Sequence, residues 1–72
     1  MRANYQIGDK VRLSGPGLEN ENYAKFCDSI LIIEHIARSR DEHPEFDSAG
    51  GSPLYDFKGC PFSLYEWEIQ PA

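Results

Sequence analysis

The sequence predicts a mainly β fold, a small curled antiparallel barrel of about five short strands with one short helical turn. The strongest indication is the apolar segment 29–37, which contains four isoleucines. Apolar and polar residues also alternate near both ends of the chain, as they do in strands that bury one face. Glycine and proline clusters separate these segments and indicate turns. The length of 72 residues and the ordinary apolar and charged content predict one domain spanning residues 1–72.

Residues 29–37 form the predicted central strand, because β-branched side chains packed this tightly favour a strand buried on much of both faces. A helix is the competing interpretation, but the segment is short and lies between polar, turn-like segments. Strict alternation along the strand would bury either Glu34 or His35. A β-bulge near these two residues resolves the conflict, because Ile33 and Ile36 then share the core face. We therefore expect a bend or bulge there.

The first predicted strand lies early in the chain, where Val11 and Leu13 alternate with Lys10 and Arg12. A period of two places the apolar pair on the core face and the two cations in water. Residues 14–17, Ser-Gly-Pro-Gly, end this strand in a turn.

Another alternating strand is predicted at residues 53–58. Tyr55 and Phe57 point inward, while Asp56 points outward. Leu54 shares the outer face with Asp56, which would place it at a covered edge of the sheet.

The end of the chain predicts a turn, a helical turn and a last strand. Residues 59–61, Gly-Cys-Pro, predict the turn, and residues 62–64 are expected to form the single helical turn. Tyr65, Trp67 and Ile69 alternate with polar residues, which predicts the final strand.

Two longer connections interrupt this pattern. Residues 18–28 fit either one helical turn or an irregular loop, with Tyr23 and Phe26 at helix-like spacing. Residues 38–52 have the composition of a loop, and loops of this length are usually functional or mobile. Phe46 is the one large apolar residue of this loop. It either tucks onto the barrel, which is the favoured interpretation, or is presented to a partner.

The net charge of −5 argues against general phosphate binding, which needs clustered lysine and arginine. The chain contains no apolar stretch of the roughly 20 residues that cross a bilayer as a helix. Its start lacks the apolar segment of a secretory signal, so we expect a cytoplasmic protein without membrane contact.

Cys27 and Cys60 are the two cysteines. In a cytoplasmic protein we expect two reduced, partly buried thiols. A disulfide is the alternative, and it would add roughly 3–4 kcal/mol in the chain-entropy model. A zinc site with His35 and His43 lacks the paired short spacings of a zinc finger, so no metal is expected.

Candidate catalytic groups cluster in the loop, where His43 with Asp41, Glu45 or Asp47 would bind a divalent cation or act as a general base. The spacing lacks the alternating ligands and the mid-loop glycine of a calcium loop. Cys60 paired with a histidine has no evident oxyanion hole nearby. We therefore expect no enzyme activity and no cofactor.

Residues 7–13, Ile-Gly-Asp-Lys-Val-Arg-Leu, resemble the first strand of SH3-like small β-barrels, including the KOW-type group. Residues 61–69 are similar to the closing helical turn and last strand of those barrels. Residues 41–57 resemble small uncharacterised proteins of bacteria and their phages. The resemblance implies a small barrel, and it includes barrels that associate with nucleic acid or ribonucleoprotein. Residues 18–28 and 38–52 are longer than the corresponding connections of the family.

The leading functional hypothesis is a non-catalytic protein-interaction module, bacterial or phage-encoded, that binds a larger protein through the long acidic and aromatic loop. In a phage, this larger protein would be a host enzyme or a defence protein. The predicted partner-binding residues are Phe46, Asp41, Glu42, His43, Glu45, Asp47, Tyr23 and Tyr65.

Two alternatives are kept. In the first, a KOW-like barrel binds nucleic acid through Lys10, Arg12, Arg38 and Arg40, with Tyr55 or Trp67 stacking on bases. In the second, acidic side chains mimic nucleic-acid phosphates and block a basic protein. The residues of this mimic are Glu42, Glu45, Asp47, Asp56, Glu66 and Glu68. The expected oligomeric state is a monomer or a dimer formed through a free strand edge.

Overall fold

The computed structural model describes residues 2–72 and shows a mainly β protein with five antiparallel strands in one sheet and two short helices. The elements are β1 Lys10–Leu13, α1 Pro16–Glu19, α2 Glu21–Phe26, β2 Leu31–Ala37, β3 Leu54–Lys58, β4 Cys60–Tyr65 and β5 Ile69–Pro71, with 3₁₀ turns at Ser48–Gly50 and Glu66–Glu68. The strand order is β4-β3-β2-β1-β5, so β4 and β5 are the two edges. The mainly β class with five strands is confirmed, while closure into an SH3-like barrel stays a prediction.

Strand β1 has the predicted alternation. Val11 and Leu13 are buried, and Lys10 and Arg12 are exposed. The strand pairs with β2 on one side and with β5 on the other, with Leu13 opposite Ile69. This central position brings the start and the end of the chain into one sheet.

The register between β2 and β3 contains the predicted bulge. Ile33 lies opposite Phe57, whereas the next pair along the ladder is His35 and Asp56. Strand β2 therefore advances by two residues while β3 advances by one. Glu34 is the extra residue, and it is exposed.

The bulge changes which residues of β2 face the core. Ile36 lies opposite Tyr55, a fully buried core residue, and cross-strand partners share one face of a sheet. Ile33 and Ile36 therefore lie on the same face, as predicted. Ala37 lies opposite Leu54 on the other face. One strand thus supplies apolar side chains to both sides of the sheet.

Two apolar clusters cover the two faces. The main cluster contains Val11, Leu13, Leu31, Ile33, Tyr55, Phe57, Cys60, Leu64 and Ile69. The smaller cluster contains Ala37, Phe46 and Leu54, with Tyr65 packed against it. Leu54 is therefore covered, as expected, but it does not lie at an edge, because β3 is flanked by β2 and β4.

The connection after β1 contains more helix than the sequence predicted, which was a turn at residues 14–17 and at most one helical turn after it. Pro16 begins α1 at the first helical position, where its missing N–H costs nothing. Asn20 then caps α2, because its side-chain oxygen accepts hydrogen bonds from the backbone N–H groups of Asn22 and Tyr23 at 3.0 and 3.3 Å. The helical alternative for residues 18–28 is confirmed, with two short helices instead of one turn.

The predicted helical turn at residues 62–64 is wrong, because these residues belong to β4. The helical turn is Glu66–Glu68, and it leaves only Ile69–Pro71 for the last strand. The turn is fixed by the Glu68 side chain, which accepts a hydrogen bond from the Tyr65 backbone N–H at 3.0 Å. The alternation of apolar and polar residues that predicted a strand at residues 65–70 therefore spans a turn.

Cys27 and Cys60 form a disulfide, so the expectation of two reduced thiols is wrong. The backbone explains the pairing, because the Asp28 N–H donates to the Gly59 carbonyl at 2.7 Å and brings the end of α2 to the β3–β4 hairpin. The cross-link joins residues that are 33 positions apart in the chain. In the chain-entropy model, closing a loop of this length adds about 3–4 kcal/mol to the free energy of unfolding. Disulfides persist mainly in oxidising compartments, so this bond counts against the expected cytoplasmic location.

No helix within residues 2–72 combines the length and the apolar character that crossing a membrane requires.

A partly buried hydrogen bond joins the core to the Glu66–Glu68 turn. The Tyr55 hydroxyl donates to Glu66 Oε1 at 2.7 Å. Glu66 also accepts hydrogen bonds from the backbone and side chain of Asn4, which ties the start of the chain to the same carboxylate. Burial, together with the Glu66 carboxylate, raises the pKa of Tyr55 well above its ordinary value.

The raised pKa of Tyr55 predicts a loss of stability in alkaline solution. Unfolded tyrosine ionises near pH 10, while folded Tyr55 stays protonated, so its contribution is full below about pH 10 and is lost as pH rises further. We expect Tyr55→Phe to lower the free energy of unfolding at pH 7 by about 1–2 kcal/mol. The decline between about pH 9 and 11 should be shallower in the variant than in the wild type.

Denaturant unfolding at a series of pH values measures both effects. Burial and nearby carboxylates also raise the pKa of Tyr5 and Tyr23, so some alkaline decline remains in the variant. Equal slopes in the wild type and the variant would contradict the role given to Tyr55.

Candidate functional site

The long loop, residues 38–53 between β2 and β3, is held against the sheet by Phe46. This side chain is only 7 % exposed and packs with Ala37 and Leu54 in the smaller apolar cluster. The tucked alternative is therefore confirmed, and Phe46 cannot be a surface anchor for a partner in this conformation. It positions the rest of the loop.

His43 is the polar counterpart of this anchor. Its Nε2 lies 2.9 Å from the Ser63 Oγ on β4 and 3.4 Å from Asp56 Oδ1 on β3. The backbone N–H of Glu45 donates to His43 Nδ1 at 3.0 Å. Because Nδ1 accepts, the neutral imidazole carries its proton on Nε2 and donates it to Ser63.

Asp56 is the centre of this polar cluster. The Ser63 hydroxyl donates to Asp56 Oδ1, and His35 Nδ1 lies 3.1 Å from Asp56 Oδ2. Within residues 2–72, no buried side-chain nitrogen or oxygen lacks a hydrogen-bond partner. The cluster is thus a satisfied network that binds the loop to strands β2, β3 and β4.

A serine, a histidine and an aspartate in contact invite comparison with a nucleophilic triad. In such a triad the histidine accepts the proton of the serine, and the aspartate contacts the other ring nitrogen. Here His43 donates to Ser63, and the Ser63 proton points at Asp56. This arrangement stabilises the loop and leaves Ser63 a poor nucleophile.

The other predicted catalytic partners of His43 are not assembled around it. Of Asp41, Glu45 and Asp47, only Glu45 contacts His43, and it does so through its backbone. Among the residues that the structure describes, no three His, Cys, Asp or Glu side chains are arranged to hold a metal ion.

Beside the loop lies an aromatic pair made of a half-buried tyrosine and an exposed tryptophan. The rings of Tyr65 and Trp67 stack with centroids 6.1 Å apart and planes 8° from parallel. Trp67 Nε1 donates to the Gly50 carbonyl at 3.2 Å, and the Asp47 N–H donates to the Tyr65 hydroxyl at 3.1 Å. Trp67 is nevertheless 51 % exposed. We call Tyr65, Trp67, Asp47 and the Ser48–Gly50 turn the Trp67 surface.

The predicted partner-binding residues divide between several places. Asp47 and Tyr65 belong to the Trp67 surface. Asp41 and Glu42 are exposed on the loop, where the Glu42 carboxylate accepts a hydrogen bond from the backbone N–H of Arg38 at 3.0 Å.

Tyr23 belongs to α2 and not to the long loop. Its ring packs on Phe62 with centroids 4.9 Å apart. Burial, together with the Glu68 and Glu45 carboxylates, raises the pKa of its hydroxyl. Tyr23 is therefore mainly a packing residue that covers the sheet, and it is not part of the Trp67 surface.

The cations of the nucleic-acid alternative are not brought together. Lys10 lies opposite Ile32 on β2, and Arg12 lies further along β1 towards the start of β2. Arg38 follows the other end of β2, six residues after Ile32. At about 3.3 Å per residue of strand, it lies about 20 Å along the strand from Lys10. Tyr55 is fully buried, so the prediction that it stacks on a base is wrong.

Half of the acidic residues proposed to mimic phosphates have structural roles. Glu68 is buried, Asp56 is held between two histidines, and Glu66 accepts the Tyr55 hydroxyl. The exposed remainder, Glu42, Glu45 and Asp47, lies on the long loop.

Trp67 is the residue of this surface that the sequence did not assign to partner binding. Alternation placed it on the last strand and offered it only as a stacking residue. A signal was present, because Trp67 is the one tryptophan of the chain and stands between Glu66 and Glu68. A large aromatic residue flanked by charge is typical of an exposed binding position.

An open cavity of about 400 Å³ lies between β1, β5 and the two helices. It is lined by Arg12, Leu13, Leu18, Ala24, Cys27, Asp28, Ser29 and Gln70. Its lining contains no aromatic side chain, whereas small-molecule sites are rich in them. The Trp67 surface is therefore the stronger candidate.

The burial of Phe46 predicts its effect on stability. We expect Phe46→Ala to lower the free energy of unfolding by about 3 kcal/mol, because it leaves a cavity above Ala37 and Leu54. Phe26→Ala is the matched control, since Phe26 is 54 % exposed and should change stability by no more than about 0.5 kcal/mol. Urea unfolding of both variants makes the comparison, and similar values for the two would contradict the anchoring role of Phe46.

No protein-family model, curated protein or solved structure matches this chain. The similarity of residues 7–13 and 61–69 to SH3-like barrels therefore remains a resemblance of pattern. The functional argument rests on the geometry of the chain itself.

Proposed function

We propose that this protein is a non-catalytic protein-interaction module that binds a larger protein through the Trp67 surface and the adjoining acidic loop. The observation that carries the proposal is the state of Trp67. Its side chain is half exposed to water, yet its ring is stacked on Tyr65 and its N–H is bonded to the Gly50 carbonyl.

Such a side chain is prepared for binding. A partner that covers Trp67 gains a large apolar contact, and tryptophan and tyrosine are enriched among the residues that dominate binding energy. The entropy cost of ordering the ring has already been met within the fold, so less is lost on association. Phe46 and His43 contribute indirectly, because they hold the loop that carries Asp47 and Gly50.

The sheet edges favour a side-chain surface over strand addition. Each edge strand contains a proline, Pro61 in β4 and Pro71 in β5. Proline has no N–H to donate to a further strand and is typical of edges protected from pairing. This disfavours the dimer formed through a strand edge.

The proposal predicts that Trp67→Ala removes partner binding without unfolding the protein. Wild-type, Trp67→Ala and Phe26→Ala baits are compared in nuclease-treated lysate, and each captured protein is identified and purified. We expect a partner that binds wild type and Phe26→Ala alike. Its affinity for Trp67→Ala should be roughly tenfold lower or worse, which corresponds to the loss of a dominant contact.

Thermal unfolding of the three baits shows whether the variants are folded. A purified partner that binds folded Trp67→Ala with wild-type affinity would contradict the proposal. The wild-type bait is also used in untreated lysate, and capture that occurs only there would instead favour the nucleic-acid alternative.

A further inference from the structure

The charge around the Trp67 surface is negative and is not neutralised by the protein's own cations. The chain has twelve Asp and Glu against seven Lys and Arg. Within residues 2–72, the ion pairs that form are those of His35 and His43 with Asp56, and none joins a carboxylate to lysine or arginine. Within these residues, the surface carboxylates therefore have no lysine or arginine of the protein as an ion-pair partner.

One exposed acidic residue belongs to the same surface as the aromatic pair. Asp47 is exposed, and its backbone N–H is bonded to the hydroxyl of Tyr65, the ring on which Trp67 stacks. Glu66 stands between Tyr65 and Trp67 in the chain, but its carboxylate already accepts hydrogen bonds from Tyr55 and Asn4, so Asp47 is the carboxylate considered. An aromatic face together with a nearby carboxylate attracts a cation through the ring quadrupole and through ionic hydrogen bonds.

The exposed aromatic on α2 shows the contrast. Phe26 already makes a cation–π contact within the protein, since Lys25 Nζ lies 5.3 Å from the centre of its ring. This is the one such contact in the described chain, and Trp67 has none. Trp67, the better aromatic for a cation, is thus the one left open.

We propose that the Trp67 surface binds an arginine side chain in a basic segment of the partner protein. The inference rests on the proposed function and names the chemistry of the partner. Arginine fits better than lysine, because a planar guanidinium stacks on indole while its N–H groups donate to a carboxylate such as Asp47. Nucleic acid fits poorly, because its negatively charged phosphates would be repelled by the exposed carboxylates of this surface.

Intrinsic fluorescence tests this directly, because Trp67 is the single tryptophan. The full chain is titrated at low salt with a blocked Gly-Arg-Gly-Arg-Gly peptide, with its lysine counterpart and with its glutamate counterpart. We expect a saturable change in Trp67 emission with the arginine peptide, several-fold weaker binding of the lysine peptide and no saturable response to the glutamate peptide. Added salt should weaken the binding of the arginine peptide.

Asp47→Asn and Glu19→Gln are the matched variants, since each removes one exposed negative charge. Asparagine keeps the side-chain oxygen that accepts the Ala49 N–H, so the loop is preserved. We expect Asp47→Asn to lower the affinity for the arginine peptide about threefold or more. Glu19→Gln, on α1, should leave this affinity unchanged. Equal binding of arginine and lysine peptides, or equal effects of the two variants, would overturn the proposal in favour of general charge attraction.

The outcomes separate this inference from the proposed function. If Trp67→Ala loses an identified partner while the arginine peptide gives no saturable response, the interaction module stands and the arginine inference fails. If the arginine peptide binds as expected while Trp67→Ala keeps every partner, the arginine site stands and the proposed function at this surface fails.

Discussion

The fold depends on one extra residue in its central strand. An uninterrupted β2 would place Glu34 opposite Asp56, and every following side chain would change face. The bulge at Glu34 instead sets Ile36 beside Tyr55 in the core. It also places Ala37 opposite Leu54 on the other face of the sheet. In an uninterrupted register Ile36 would take that position, so the bulge decides which side chain of β2 lies in the second apolar cluster.

That second cluster positions the candidate functional site. Ala37 and Leu54 form the floor on which Phe46 packs, and Phe46 fixes the middle of the long loop. Once the loop is fixed, its following residues reach the end of β4, where Asp47 contacts Tyr65. The bulge in β2 is thus connected, contact by contact, to the position of the Trp67 surface.

The sequence predicted those features that depend on local pattern. Alternation located β1 and β3, and a polar pair inside an apolar segment predicted the bulge. Residues 59–61 were predicted to form a turn because glycine and proline are turn formers. Only Gly59 lies in the turn of the β3–β4 hairpin, whereas Cys60 and Pro61 already belong to β4. The disulfide and the hydrogen bond from Trp67 to the Gly50 carbonyl join residues that are far apart in the chain and are brought together by tertiary packing. No local pattern encodes such contacts, so the candidate site was only partly predictable.

The most direct test of this structure is the register of β2 against β3, measured by cross-strand nuclear Overhauser effects in the folded protein. The structure predicts contacts of His35 with Asp56 and of Ile36 with Tyr55, with Glu34 lacking a partner. Contacts of Glu34 with Asp56 would contradict it. Ile36 would then leave the core face and replace Ala37 opposite Leu54. The floor under Phe46 would differ from the one described here, and so would the placement of the loop and of the surface proposed to bind a partner.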